Sequence, residues 1–159
     1  MSGRSFGMMR RVALCVLLVS SAAVVAAASP AAADDARIIA FMTGAAERPN
    51  PGDPDAIGRA YITINDAANQ LCVTLQWARV DGTLSGLHIH IAPTTSAGPI
   101  VVPFQTPPSA RTGVFRQCVT VANETTLDNI AANPQAYYIN LHSTPLYPGG
   151  ALRGQLRRI

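Results

Sequence analysis

Residues 86–91 read GLHIHI, and the alternation of this short run points to both a fold class and a site. A β-strand sends successive side chains to opposite faces of its sheet. Leu87, Ile89 and Ile91 therefore share one face and His88 and His90 the other. The aliphatic side is the core side, because burial gains roughly 25 cal/mol per Å² of apolar area. The chain has three histidines, His88, His90 and His142, so two of them sit one residue apart on one polar strand face.

Similar runs recur along the chain. RIIAFMTG (37–44) is predicted as a first strand, and AAERPNPGDPDAIG (45–58), with its prolines and glycines, as a loop. RAYITIN (59–65) and QLCVTLQWARV (70–80) pair as a hairpin across DAAN. LSGLHIHIA (84–92), PIVVPF (99–104) and FRQCVTVA (115–122) supply further strands. YYINLHS, the turn-rich TPLYPGG and ALRGQLRRI close the chain as a hairpin. Short β-prone runs punctuated by Gly, Pro, Asn and Asp predict an all-β fold, an antiparallel Greek-key-like sandwich or barrel. One short helix is expected near 124–132, capped by Asn123 or Thr125, with Leu127 and Ile130 on one face and Pro134 as its stop.

The beginning of the chain reads differently. Arg4, Arg10 and Arg11 precede an apolar stretch that ends in small residues, Ala31 and Ala33. This is the pattern of a cleavable export signal over residues 1–33, leaving a single domain over 34–159 outside the cytoplasm, with no membrane attachment after cleavage. Twelve arginines less the three in the leader leave nine, equal to the nine acidic residues. A charge-neutral domain gives no footing for nucleic acid. The chain contains no lysine, which excludes Schiff-base chemistry on a protein amine and a phosphate-binding P-loop. Cys72 and Cys118 remain after the leader and are expected to form a disulfide, as paired thiols do in exported proteins. Closing a loop of about 45 residues is worth roughly 3–4 kcal/mol in the loop-entropy model.

The face test applied to YYINLHS puts Tyr137, Ile139 and Leu141 inward and Tyr138, Asn140 and His142 on the solvent side. In ALRGQL it puts Leu152, Gly154 and Leu156 inward and Ala151, Arg153 and Gln155 outward. Every histidine thus falls on a polar strand face. If their strands are adjacent, three imidazoles can converge on one ion, and nitrogen-only ligation suits Cu(II) first and Zn(II) second. Asn140, Gln155 and Arg153 are the candidates for orienting the rings or, for Arg153, guiding an anion. Three protein ligands leave an open position, which would permit redox chemistry on a small oxygen species. The competing reading of the same residues is a solvated polar face.

GLHIHI followed by AGPIVVPF, then NPQAYYINLHS and YPGGALRGQL, in that order, resembles the chordin-type (CHRD) domain family over nearly all of residues 37–159, and GAAERPNP resembles its acidic-proline segment. The resemblance implies a secreted β-sandwich, here as a single-domain bacterial member; in animals the domain occurs within an antagonist of secreted growth factors. Where the family usually has glycine after the second histidine this chain has Ile91-Ala92-Pro93, so a loop of different shape is expected there. In fold and ligand type the chain is also similar to copper/zinc superoxide dismutases, with His88, His90, His142 and Arg153 in corresponding parts. It lacks the further histidines that a zinc-holding second site would need. That likeness by itself establishes no activity.

Two functions stay open on the sequence. One is an exported metal-binding protein, and if an enzyme then a copper-dependent oxidoreductase of superoxide dismutase type. The other is a non-catalytic module that binds an extracellular protein. Hydrolase and transferase motifs such as G-x-S-x-G and H-E-x-x-H are absent. Glu47, Asp53 and Asp55 in the proline-rich loop read as solvated surface, with a Ca(II) site the alternative. Trp77 and Tyr138 read as packing.

Overall fold

The alternating runs form strands in the computed structural model, which describes Gly3 and residues 36–159. The expected export signal, Gly3 apart, lies outside the described residues. The strands are β1 (Arg37–Thr43), β2 (Ile57–Asn65), β3 (Gln70–Ala78), β4 (Thr83–Ile91), β5 (Ile100–Pro103), β6 (Gly113–Thr120), β7 (Tyr137–Thr144), β8 (Tyr147–Gln155) and β9 (Arg157–Arg158). All pairings are antiparallel, in the order β5-β4-β7-β8-β1-β2-β3-β6, with β9 also on β1. The all-β expectation holds, as one continuous sheet. Ile62, Leu71 and Leu75 from β2 and β3 share a core with Leu87, Ile89, Ile139 and Leu141 from β4 and β7. The sheet therefore curls until its two halves face each other across one apolar interior, and each such aliphatic side chain contributes roughly 1.5–3 kcal/mol.

The expected β2–β3 hairpin forms, with Ile62 and Ile64 inward and Tyr61 and Thr63 outward. Asn69 closes its turn in the left-handed conformation (φ 48°), which Asn tolerates better than most residues. Cys72 and Cys118 are directly opposed across β3 and β6 and form the disulfide. It fastens β6, an edge strand whose inward residues are only half-buried. Trp77 is core packing, with its indole N–H donating to Ala110 O at 2.8 Å.

The helix, α1 (Glu124–Ala132), lies where the pattern places it and buries Leu127 and Ile130. Asn123 is its N-cap residue, but the Asn123 side chain makes no capping bond and Thr125 lies within the first turn. Glu124 is instead held from outside, accepting from Asn69 Nδ2 at 3.0 Å. Pro134 opens a short 3-10 turn that leads into β7. Two aliphatic side chains depart from the alternation reading. Ile91 is exposed, because it ends β4 where the chain leaves the core for the 92–99 loop. Ala151, expected to face out, is buried beneath Gly52 of the β1–β2 loop. No helix among the described residues is long and apolar enough to cross a membrane.

Candidate metal centre

Adjacency is the step that alternation alone leaves open, and the sheet supplies it: β4 and β7 are neighbours. In their register Gly86 faces His142, His88 faces Asn140 and His90 faces Tyr138. The ring centroids are 5.1 Å apart for His88–His142, 5.6 Å for His88–His90 and 6.5 Å for His90–His142. One ring nitrogen of each lies within 4.8 Å of the others. Two nitrogens bound at about 2.0–2.1 Å to one ion stand at most about 4 Å apart, so small ring rotations would complete a three-nitrogen site. Gly86 makes the room. A Cβ there would lie 2.7 Å from His88 Cε1 and 3.6 Å from His142 Cδ2.

The hydrogen bonds orient the rings. His142 Nδ1–H donates to Pro148 O at 3.0 Å, which leaves Nε2 as the ring nitrogen open to an ion. That atom is buried and meets no donor, and the same is true of His88 Nδ1. Burial first, then the neighbouring His142 and His90, lowers the His88 pKa to about 4, so its ring is neutral and free to ligate at neutral pH. Burial also lowers the His90 pKa, against hydrogen bonds to Gly98 and Asn140. His90 Nδ1 lies 2.8 Å from Gly98 O and Nε2 lies 3.0 Å from Asn140 Oδ1. A carbonyl can only accept, so Nδ1 carries the proton in the neutral ring. The Nε2 lone pair then needs either the N–H side of the Asn140 amide or a cation.

The polar face is not solvated as the alternation reading has it. His90 is 8% exposed, Asn140 2% and Arg153 1%. The 92–99 loop covers this face, and Arg153 holds the cover: its guanidinium donates to Pro93 O (2.7 Å) and Ser96 O (2.8 Å) and lies 3.5 Å above the Tyr138 ring. Tyr138 in turn stacks on His90 at 4.7 Å and 6°. Gln155 donates to Ala92 O and Gln135 O. Of the three orienting candidates, Asn140 touches a histidine, whereas Arg153 and Gln155 engage the loop.

Glu47 is a polar residue of this region that the proline-loop composition disguises. It is 2% exposed, against the back of Gly150, whose φ of 135° and lack of Cβ leave room for the carboxylate. Burial raises its pKa to about 7, against the opposing pull of Arg153, Arg48 and Asn140. The folded value exceeds the unfolded one, so this contribution is fully present below about pH 4.5 and is lost as pH rises through about 7. Glu47→Gln is therefore expected to be close to wild type at pH 5 and more stable than wild type by about 2–3 kcal/mol at pH 8. Urea unfolding at the two pH values measures this, and an equal difference at both would contradict it.

Fold and site together define an all-β domain that gathers three imidazoles on one sheet face, beside a loop pinned by a buried arginine. The chain belongs to the CHRD domain family, whose model matches residues 38–156. No curated protein and no solved structure matches the chain.

Proposed function

We propose that this CHRD-domain protein is an exported metal-binding protein that holds copper, with zinc the second choice, through His88, His90 and His142. The observation that carries the reading is the pair of buried, donorless nitrogens, His88 Nδ1 and His142 Nε2, in a cluster with the His90 ring. Leaving buried polar atoms unsatisfied costs about 1–3 kcal/mol each, and a soft-to-borderline divalent ion satisfies them together. All-nitrogen ligation without thiolate or carboxylate favours Cu(II) over Zn(II) in the usual affinity order. Asn140 orients His90, and Tyr138 with Arg153 holds that ring and the covering loop in place. A fourth position stays with water or a small ligand, the arrangement that redox chemistry of superoxide dismutase type would use. Export fits the leader-like start of the sequence and the Cys72–Cys118 disulfide.

Titration of the purified protein with Cu(II) is expected to saturate at one equivalent, and the His88→Ala variant to bind far more weakly. Equal affinity in the two proteins would sink the reading. A second reading, a module that binds an extracellular protein, draws on one observation. Phe41 and Ile57 are exposed beside a groove of about 420 Å³ that they line with Trp77, and Arg59 and Arg157 stack over the Phe41 ring. Capture of a partner by metal-free protein that survives His142→Ala would favour it.

A further inference from the structure

A second group of chemistry-bearing side chains shares no residue with the histidine cluster. Asp53 and Asp55 come from the β1–β2 loop and Asp81 from the β3–β4 connection, and one carboxylate oxygen of each lies within 4.8 Å of the others. Acidic residues often gather on surfaces without binding anything. Asp53 is different, because it is fully buried. Its Oδ2 accepts from the Asp81 N–H at 2.8 Å, whereas Oδ1 is buried and meets no donor. A buried carboxylate oxygen with no donor is costly, and no guanidinium reaches Asp53 among the described residues.

We propose that Asp53, Asp55 and Asp81 form a binding site for a hard divalent cation, Ca²⁺. The donors are all oxygen, which excludes the softer ions suited to the histidines. Oxygens on opposite sides of one Ca²⁺ stand about 4.6–5.2 Å apart, given Ca–O distances of 2.3–2.6 Å, whereas Mg²⁺ demands a tighter octahedron at about 2.0–2.1 Å. Carboxylate oxygens that lie within 4.8 Å of one another fall inside the span that Ca²⁺ bridges.

Two of the three ligands are held in advance. The Asp53 N–H donates to Ala151 O at 3.0 Å, and Gly44 packs so closely that a Cβ there would lie 1.9 Å from the Asp53 carbonyl oxygen. Ser143 Oγ donates to Asp81 O at 2.6 Å. Asp55 is exposed and can close over an arriving ion. Arg111 lies 2.7 Å from Asp81 Oδ1 and Arg79 3.8 Å from Asp55 Oδ2. Each engages one oxygen of an exposed or half-exposed carboxylate, and such pairs contribute about 0–1 kcal/mol, so they yield readily to a divalent cation. The Tyr147 hydroxyl, whose pKa is raised by burial and then by Asp53, Asp81 and Asp55, marks the same concentration of negative charge.

The test is calorimetric titration and thermal unfolding of the purified protein in millimolar CaCl₂, in MgCl₂ and in EDTA. Binding of one Ca²⁺ with a rise in Tm of about 4 °C or more is expected from mass action on the folded state, with a clearly smaller rise in Mg²⁺. Asp55→Ala removes an exposed ligand, so its Tm in EDTA should match wild type while the Ca²⁺ response disappears. His88→Ala should keep the full response, which separates this site from the copper reading. The same Tm in CaCl₂ and EDTA, an equal rise in MgCl₂, or an undiminished Ca²⁺ response in Asp55→Ala would overturn the proposal.

Discussion

Replacing His142 by alanine is expected to weaken Cu(II) binding by about 100-fold or more while leaving the fold intact. His142 Nε2 is the nitrogen that β7 brings to the cluster, and it is already buried and without a partner, while Nδ1 is engaged by Pro148 O. Its loss leaves two imidazoles, both on β4. Loss of an orienting partner alone typically costs 10–100-fold in metal affinity, and loss of a ligand should exceed that. Gly86→Ala tests the same geometry without removing a ligand. The added methyl would press on His88 Cε1 and Nε2, at 2.7 and 3.3 Å, and should cost about 10-fold, within the range seen when ligand orientation is disturbed. Competition titration against a chelator reads both, with far-UV circular dichroism to verify the fold. A His142→Ala affinity within threefold of wild type would contradict the assignment.

Arg153→Ala is expected to be the most destabilising polar substitution in the domain, at about 3–5 kcal/mol. Arg153 is 1% exposed, and its removal leaves Pro93 O and Ser96 O without their donors, the Tyr138 face bare and the Glu47 carboxyl without its strongest opposing charge. Arg153→Lys restores the charge but not the two-armed reach to both carbonyls, so an intermediate loss is expected. Denaturant unfolding at pH 7 measures the series. A loss below about 1 kcal/mol for Arg153→Ala would mean that the 92–99 loop is held by something else. The Arg153→Lys protein also serves if the alanine variant fails to fold, since its loss must still be measurable.

Much of this was legible in residues 86–91 and 137–142. Period-two alternation assigned the core to Leu87, Ile89, Ile139 and Leu141 and put all three histidines on the opposite face, as the sheet has them. Pairing of β4 with β7 was not legible, because about 50 residues separate them and no turn between them records which strands meet; topology decides that through the shared core. Burial of the polar face was hidden for a different reason. What covers it is largely backbone, the carbonyls of Ala92, Pro93, Ser96 and Gly98, and backbone acceptors have no signature in residue type. Arg153 consequently read as an exposed anion guide, although it is a buried strut. Glu47 and Asp53 were obscured by their proline-rich loop, whose composition suggests solvent while its path runs back over Gly150 and Ala151. The disulfide was legible because residues 34–159 hold only two cysteines.

Electron paramagnetic resonance of the protein with one equivalent of Cu(II), including spin-echo detection of ring nitrogens, tests most directly whether the rings of His88, His90 and His142 meet on one ion. Three coordinated imidazoles are expected in wild type and two after His142→Ala. A spectrum of hydrated Cu(II), or a nitrogen pattern that is the same in both proteins, would contradict it.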